Sequence, residues 1–404
     1  MTSRPLHAVL LHEGPEQLLS RLSAALDGSG PAFLPLDPGL PQASLDKLLA
    51  AFAPDAIVTN EGTKPLAVPD AGRGSTPGVD EDVAVVLATS GSTGVPKGAE
   101  LTASAMLSSA RASLTWLGAG LSGAGGRWLC CLPTHHISGL GVLVRSLVSG
   151  KEPLIVDRID ADLAGAADCD YVSLVPTQLQ RLLETGAPVS RFRAILLGGA
   201  AAAPGLLEAA STAGARVVTT YGMTETCGGC VYNGTPLDGV RLASGPDGRI
   251  QISGPVLFSG YRLAPELTRQ YLADGWFVTS DLGGLDAEGR LELHGRADDV
   301  INSGGEKIVP GLVEQALRDC PSVKDAVVVG VPDPEWGERV IAVVVPDDES
   351  APPELADLRA AVAARLPRYA APRAVVIAAE IPMLTSGKPD RLAVRMIAAR
   401  QNVQ

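Results

Sequence analysis

A ten-residue segment rich in hydroxyl groups and glycine carries the clearest chemistry in the sequence. Residues 89–98 are Thr-Ser-Gly-Ser-Thr-Gly-Val-Pro-Lys-Gly and follow a valine-rich run at residues 83–88. Backbone N–H groups in a glycine-rich turn form an anion-binding concavity, and the hydroxyls and the lysine add further donors. The segment is not a Walker A loop, because Pro96 precedes Lys97 and Gly98 follows it. A flexible surface turn has a similar composition, but the order of residues favours a polyphosphate site. Its candidate donors are Thr89, Ser90, Gly91, Ser92, Thr93, Gly94 and Lys97.

Two adjacent histidines and a pair of cysteines could suggest a metal site. His135 and His136 have no cysteine, aspartate or glutamate at ligand spacing, so the sequence does not favour zinc. Cys227 and Cys230 lack the second pair that a zinc site needs and the helix start that a redox dithiol needs. We therefore expect these cysteines to be small residues that line a pocket.

Several short motifs follow one another in a distinctive order. They are Ser-Gly-Ser-Thr-Gly-Val-Pro-Lys-Gly at 90–98, Tyr-Gly-Met-Thr-Glu at 221–225, Ser-Asp at 280–281 and Gly-Arg at 295–296. In this order they resemble the motifs of the acyl-adenylate-forming (AMP-binding) superfamily, which includes acyl-CoA synthetases, peptide-synthetase adenylation domains and luciferase-like enzymes. The resemblance implies that ATP and Mg²⁺ are used. It places Gly198, Gly199, Ala200, Gly222 and the ring of Tyr221 near adenine, Thr224 on the α-phosphate, Glu225 on Mg²⁺, and Asp281 and Arg296 on ribose or phosphate oxygens. A flat ring for a base and a hard oxygen for a hard cation are chemically reasonable pairings.

The resemblance also implies a second half-reaction with coenzyme A. Lys388, in Leu-Thr-Ser-Gly-Lys-Pro-Asp at 384–390, matches the adenylation lysine of the family's mobile small domain. Asp298 matches the hinge about which that domain swings, and Gly304 and Gly305 match the loop that lines the pantetheine channel.

Two longer sequence blocks narrow the choice of acid substrate. Residues 132–145 and 224–239 look like the actinobacterial o-succinylbenzoate–CoA ligases of menaquinone synthesis. In the first block, His136 matches the family's Pro-x-x-His and is expected beside the acyl carboxylate, with Ser138 and Gly139. The acid has a second carboxylate, and Arg181 is a candidate for it because guanidinium suits carboxylate geometry. A surface arginine on a helix over 176–183 is the alternative.

The elements that position these residues alternate between short apolar runs and helical segments. Apolar runs at 83–88, 128–132, 153–156, 171–175, 194–197 and 216–219 predict buried strands, and 103–117, 176–183 and 204–213 predict helices, with Thr102 as a helix cap. Residues 248–253 and 289–294 predict a small antiparallel or barrel-like region. The fold class is therefore an α/β large N-terminal domain, residues 1–296, with parallel sheets, helices and a small β-barrel-like subdomain. A small α+β C-terminal domain, residues 297–404, follows.

Composition limits the partners. The 404 residues carry a formal net charge of −12, which argues against broad binding of nucleic acid. No run approaches the ~18 apolar residues of a membrane span, and the six cysteines and the start of the chain suggest a cytoplasmic protein with reduced thiols. A homodimer is an expectation from the family alone. Three alternatives stay open: a CoA ligase for another aryl or medium-chain acid, an enzyme that loads a carrier-protein thiol, and an inactive nucleotide-binding regulator.

Overall fold

The computed structural model describes residues 3–10, 15–66, 78–89, 96–120, 125–384 and 388–401. Within these ranges the helices are α1 (Pro15–Leu26), α2 (Gln42–Phe52), α3 (Ala103–Leu117), α4 (Ile137–Ser149), α5 (Ala161–Ala166), α6 (Pro176–Glu184), α7 (Pro204–Thr212), α8 (Pro265–Tyr271), α9 (Pro310–Arg318), α10 (Leu355–Ala363) and α11 (Arg391–Gln401).

The strands in the same ranges are β1 (Ser3–Arg4), β2 (Leu6–Val9), β3 (Ala32–Pro35), β4 (Ala56–Thr59), β5 (Gly62–Pro65), β6 (Val79–Asp80), β7 (Val83–Thr89), β8 (Lys97–Thr102), β9 (Trp128–Cys130), β10 (Leu154–Ile155), β11 (Tyr171–Leu174), β12 (Ala194–Leu197), β13 (Val217–Met223), β14 (Gly228–Tyr232), β15 (Thr235–Pro236), β16 (Arg241–Ser244), β17 (Arg249–Ser253), β18 (Gly260–Tyr261), β19 (Leu272–Ala273), β20 (Trp276–Leu285), β21 (Leu291–Arg296), β22 (Ile301–Ser303), β23 (Glu306–Ile308), β24 (Val323–Asp333), β25 (Gly337–Pro346) and β26 (Ala374–Ile377).

Two seven-stranded sheets carry most of the residues with predicted chemistry. One has the order β18-β8-β7-β3-β2-β4-β5, with β2, β3, β4 and β7 parallel and β8 antiparallel to β7. The other has the order β10-β9-β11-β12-β13-β14-β15, in which β9 to β13 are parallel and β14 turns back. Apolar residues of α3 and α4 share one core with both sheets. This pairing confirms the predicted parallel sheets. A strand such as β12, which is short, apolar and buried at every residue, needs cover on both faces, as a parallel sheet provides.

The other sheets are smaller: β1 pairs with β6 in a two-stranded antiparallel sheet, and two more sheets have five strands each. An antiparallel sheet joins β16, β17, β19, β20 and β21, where the sequence predicts short strands and turns. In the last sheet, β22, β23, β24 and β25 are antiparallel and β26 is parallel to β25. Alternate residues of β24 face opposite sides: Val328 joins a core with α9 and α10, while Val327 and Val329 pack with α11. The small α+β unit is therefore confirmed as a fold, and its boundary at 296/297 stays a prediction.

Local signals place several elements accurately. Helix α3 begins after Thr102, whose side-chain oxygen accepts a hydrogen bond from the Ala105 N–H at 3.1 Å. Strand β8 lies where the sequence predicts none, because Lys-Gly-Ala-Glu-Leu-Thr has no strong strand pattern. Tyr221 and Gly222 lie inside β13 rather than after it. No helix in the described part of the chain is both long and apolar enough to cross a membrane.

Candidate active site

The described ends of the predicted phosphate loop lie side by side on two antiparallel strands. Thr89, the last residue of β7, pairs with Lys97, the first residue of β8, and its hydroxyl donates to the Lys97 carbonyl at 3.3 Å. The Lys97 Nζ lies 5.7 Å from the Tyr261 ring centroid and 5.3 Å from that of Tyr271. Aromatic faces attract an ammonium at this distance, so the lysine head is held at the mouth of the hairpin. Ser90, Gly91, Ser92, Thr93 and Gly94 lie outside the described residues.

Tyr261 also connects this lysine to Glu225. The Tyr261 hydroxyl donates to Glu225 Oε1 at 2.8 Å, and burial together with the Glu225 charge raises the pKa of Tyr261. Glu225 and Thr224 lie in a single 3-10 turn after β13, and the Phe258 N–H donates to the Glu225 carbonyl at 2.9 Å. One tyrosine thus fixes the orientation of a carboxylate and contacts a lysine, which brings groups of both charges to the same side of the hairpin.

Two glycines allow the backbones of the central strands to approach closely. A Cβ on Gly198 would overlap Thr220 Oγ1, and a Cβ on Gly222 would overlap the Gly228 carbonyl oxygen. Gly198, Gly199 and Ala200 follow β12 directly, at the carboxyl end of a parallel strand. Open α/β sheets bind ligands at this edge.

A chain of hydrogen bonds begins at Tyr221 and ends at the predicted hinge. The Tyr221 hydroxyl donates to Asp281 Oδ2 at 2.8 Å, and burial followed by the Asp281 charge raises the pKa of Tyr221. Arg296 donates from Nη1 to Asp281 Oδ1 at 3.1 Å and from Nη2 to Asp298 Oδ2 at 3.0 Å. The structure therefore brings together four predicted site residues that come from three separate segments of the chain.

The histidine pair stands at the N-terminus of α4. His136 is the residue before Ile137, and the ring centroids of His135 and His136 are 4.5 Å apart. The surface of His136 stays accessible to solvent, yet the surrounding protein lowers the pKa of its imidazole by desolvation, and His135 lowers it further. Ser138 is exposed, whereas Gly139 is buried, where a Cβ would overlap the Pro133 carbonyl oxygen. A neutral His136 is thus available beside a helix N-terminus, where a carboxylate is favoured.

A small cavity of about 10 Å³ lies between α3, α4 and the turn after Glu225. Its lining includes Met106, Ser109, Ile137, Gly141, Arg145 and Cys227. Burial raises the pKa of the Cys227 thiol, and Ser109 donates to the Cys227 carbonyl at 3.1 Å. Cys227 thus lines a pocket, as the sequence predicts.

The charged side chain of Arg145 lines this cavity. The sequence motifs did not indicate it as a site residue. It is 9% exposed, its Nη2 donates to Ser173 Oγ at 3.1 Å, and its guanidinium carbon lies 4.4 Å from the Trp128 ring centroid. Its buried Nε has no hydrogen-bond partner among the described residues. A Cβ on Gly141 would be 3.5 Å from Nη1, so the guanidinium folds back one helical turn toward the histidines. A signal was present: an arginine within the apolar segment Leu-Gly-Val-Leu-Val-Arg-Ser-Leu-Val.

Other predicted residues lie elsewhere. Arg181 is exposed on the last turn of α6, away from the sheet edge at which that helix begins, and it does not line the cavity. Lys388 is exposed on the small α+β unit. Gly304 and Gly305 form the turn between β22 and β23; a Cβ on Gly304 would lie 2.9 Å from the Trp336 ring, while the space that the described residues leave around Gly305 is open.

The chain resembles known proteins in sequence and in structure. A model of AMP-binding enzymes matches residues 69–246, and a model of the AMP-binding enzyme C-terminal domain matches residues 312–388. A probable 2-succinylbenzoate–CoA ligase of Mycobacterium tuberculosis is 43% identical over 329 residues, which cover 78% of this chain and 84% of that protein. A 2-succinylbenzoate–CoA ligase of Enterococcus faecalis is 36% identical over 339 residues, covering 76% and 68%.

Solved structures of adenylate-forming enzymes also match this chain, at lower sequence identity. The o-succinylbenzoate CoA synthetase (MenE) of Bacillus subtilis, in complex with its acyl-adenylate intermediate, has a TM-score of 0.79 and 28% identity over 97% of this chain and 88% of that one. The amide bond synthetase McbA of Marinactinospora thermotolerans has a TM-score of 0.83 and 26% identity over 98% and 90%.

Proposed function

The chain belongs to the AMP-binding enzyme family, and from that premise we propose that it joins 2-succinylbenzoate to coenzyme A in menaquinone synthesis. In the first step the succinyl carboxylate attacks the α-phosphorus of ATP, forming the acyl-adenylate and releasing pyrophosphate. In the second step the thiol of coenzyme A attacks the acyl carbon and AMP leaves. The identity of 43% to a probable 2-succinylbenzoate–CoA ligase favours this reaction over that of the amide bond synthetase, at 26%.

The buried guanidinium of Arg145 is the observation that carries the choice of acid. A buried charge is costly unless an ion or hydrogen bonds complete it, and within the described ranges the Arg145 side chain has Ser173 and the Trp128 ring as partners while its Nε stays unpaired. The benzoate carboxylate of the acid supplies the missing anion. The rise of α4 from Ile137 to Gly141 is about 6 Å, which suits a substrate with one carboxylate near His136 and the other near Arg145. We therefore assign to Arg145 the role first predicted for Arg181.

The cavity beside Arg145 marks the inner end of the acid site rather than its whole extent. A volume of about 10 Å³ is close to that of one water molecule. We place the aryl ring between α3 and α4 on the side of His136, with the ring carboxylate facing Arg145.

The nucleotide occupies the edge formed by β12, β13 and the β7–β8 hairpin. Tyr221 and residues 198–200 lie beside the adenine, Asp281 binds the ribose with Arg296, and Thr224 donates to the α-phosphate. Lys97 and the loop before it bind the β- and γ-phosphates. Because charge develops on phosphoryl oxygens, catalysis here depends on positioned donors, and the loss of one commonly costs about a hundredfold in rate.

The residues present fit a magnesium ion. Glu225 offers a carboxylate whose orientation Tyr261 fixes, close to Lys97. The described residues include no group of three or more His, Cys, Asp or Glu side chains able to hold a metal, so phosphate oxygens would have to supply most of the ligands. When bound, Mg²⁺ neutralises charge on the polyphosphate.

The second half-reaction uses the unit that follows residue 296. Lys388 contacts the carboxylate and phosphate oxygens during adenylation, and rotation at Asp298 then withdraws it and brings Gly304 and Gly305 to the thiol entry path. We place this reaction in the cytoplasm, and a homodimer stays a prediction. The open space around Gly305 among the described residues is compatible with a passing pantetheine arm.

An acid panel tests the function. The purified protein is given ATP, Mg²⁺ and 2-succinylbenzoate, 4-oxo-4-phenylbutanoate or octanoate, with and without coenzyme A, while pyrophosphate and thioester are measured. We expect rapid pyrophosphate release and thioester formation with 2-succinylbenzoate only. A preference for another acid would refute the assigned substrate. Pyrophosphate release without consumption of coenzyme A would indicate a carrier-protein or amine acceptor, and no release with any acid would indicate a nucleotide-binding regulator.

A further inference from the structure

Arg391, the first residue of α11, contacts three separate elements with its guanidinium. Its Nε lies 3.0 Å from Asp299 Oδ2, its Nη2 donates to Glu314 Oε1 at 2.8 Å, and its Nη1 donates to the Val328 carbonyl at 2.9 Å. These partners belong to the 3-10 turn Ala297–Asp299, to α9 and to β24. All three nitrogens of the guanidinium are therefore engaged.

The burial of Glu314 distinguishes this cluster from an ion pair on the surface. Its side chain is only 7% exposed, and its Oε1 also accepts a hydrogen bond from the Val328 N–H at 3.0 Å. Exposed ion pairs contribute little, whereas a partly buried and hydrogen-bonded pair holds one geometry. The start of α11 is therefore fixed against α9 and β24.

The segment that carries Lys388 is attached directly to this point. Met383 and Pro389 form a β-bridge, the Leu384 N–H donates to the Lys388 carbonyl at 2.8 Å, and the Asp390 N–H donates to the Pro382 carbonyl at 2.8 Å. Lys388 thus lies at the end of a short hairpin whose second arm leads into α11, three residues before Arg391.

We propose that Arg391 is a positioning residue for Lys388, because it ties the root of the Lys388 hairpin to Asp299, the neighbour of the hinge residue Asp298. The inference rests on the proposed function, which gives Lys388 its role and Asp298 the rotation. With the tie in place, rotation at the hinge carries the hairpin as part of one body. Without it, Val394 and Ala398 still anchor α11 to the sheet, while the hairpin root loses its link to the hinge.

The two half-reactions separate this role from a merely structural one. Adenylation needs Lys388 and is measured as acid-dependent exchange of pyrophosphate into ATP with 2-succinylbenzoate. Thioester formation is measured from supplied 2-succinylbenzoyl-AMP and coenzyme A. We expect Arg391→Met to lower the exchange by about a hundredfold, as misplacement of a reacting group by about 1 Å can do, and to leave thioester formation unchanged. Arg391→Lys should restore part of the exchange.

Two further variants keep the test decisive. Asp299→Asn removes the charge at the hinge and leaves the Arg391–Glu314 pair intact, so it should fold and show the same selective loss if Arg391 acts through Asp299. Arg395→Met, an exposed arginine one turn further along α11, is the matched control and should change neither half-reaction. Equal losses in both half-reactions, or no loss in either, would overturn the proposal. If the wild type activates a different acid from the panel, the assigned substrate is wrong, and the same comparison is made with that acid and its adenylate.

Discussion

Replacement of Arg145 by methionine should separate substrate recognition from stability. Methionine fills a similar volume and keeps a favourable contact with the Trp128 ring, but it removes the buried positive charge. If the guanidinium serves a substrate carboxylate, the variant should lose affinity for the dicarboxylate without losing its fold. If the arginine serves the fold, the opposite should hold.

The contacts of Arg145 set the expected loss of kcat/KM and the expected change in the thermal midpoint. Truncating one partner of a buried, hydrogen-bonded charge pair costs about 2–5 kcal/mol, so kcat/KM for 2-succinylbenzoate should fall by about thirtyfold to several thousandfold. In the protein alone, the variant loses one hydrogen bond to Ser173 and a cation–π contact, and it relieves a buried charge whose Nε finds no partner in the described ranges. Replacing poorly compensated buried charges with apolar groups is often neutral or stabilising, so the thermal midpoint should stay level or rise.

The assay compares two acids in two variants. For the wild type, kcat/KM is measured with 2-succinylbenzoate and with 4-oxo-4-phenylbutanoate, which lacks the ring carboxylate, and the ratio reports recognition of that group. Arg145→Met should bring the ratio close to one, while Arg181→Met, on the exposed side of helix α6, should leave it unchanged. A ratio unchanged in Arg145→Met, together with a lower thermal midpoint, would refute the assignment. A ratio that fell only in Arg181→Met would restore the first prediction.

Three other predictions concern the rest of the site. The pKa of His136 lies below its ordinary value of 6.5, so the folded chain binds this proton less readily than the unfolded chain. The free energy of unfolding should therefore keep its full His136 contribution above about pH 6.5 and lose it as the pH drops below that value. His136→Gln should reduce the slope of the thermal midpoint against pH. Tyr261→Phe keeps the ring under Lys97 but releases Glu225, so titration with Mg²⁺ should show about a tenfold higher concentration at half-maximal adenylation, one hydrogen bond to a charged group being equivalent to about 1.5 kcal/mol; an unchanged titration would contradict this role. Gly222→Ala forces a Cβ onto the Gly228 carbonyl oxygen and should abolish pyrophosphate release and lower the thermal midpoint, whereas Gly205→Ala, on α7 with no described atom near its Cβ, should do neither.

Much of the fold follows from local rules. The sequence predicts helix α3 with its bounds because Thr102 caps it and Gly118 follows in the left-handed conformation that ends helices. It predicts strand β12 because four apolar residues between turns leave few alternatives. It does not predict strand β8, because that strand is held by its neighbours β7 and β18, and such pairing partners are not visible in its own residues.

The acid site is harder to predict than the nucleotide site. Nucleotide residues come in compact motifs, so the order of residues along the chain already groups them. The acid pocket is instead assembled from side chains on α3, α4 and the turn at Cys227, and only the packing of these elements shows which arginine faces it. Arg181 lies in a helix rich in glutamine and glutamate, where a charge is ordinary, whereas Arg145 lies in one of the most apolar helices of the described chain.

That contrast gives a physical criterion for where function resides. Sequences usually agree with their fold at every level, and exceptions concentrate at functional sites. Arg145 places a charge in an apolar core, and Gly222 places inside β13 a residue type that weakens strands. The charge of Arg145 does not favour folding, because it leaves a buried donor unpaired as far as the structure describes the chain. Gly222 gives up the packing of a side chain, but in exchange it allows the backbones of β13 and β14 to approach closely. Both residues nevertheless lie within the candidate site, one at the acid pocket and one where the backbones of β13 and β14 meet. If Arg145→Met raised the thermal midpoint without loss of activity, the buried charge would serve some purpose other than binding the acid.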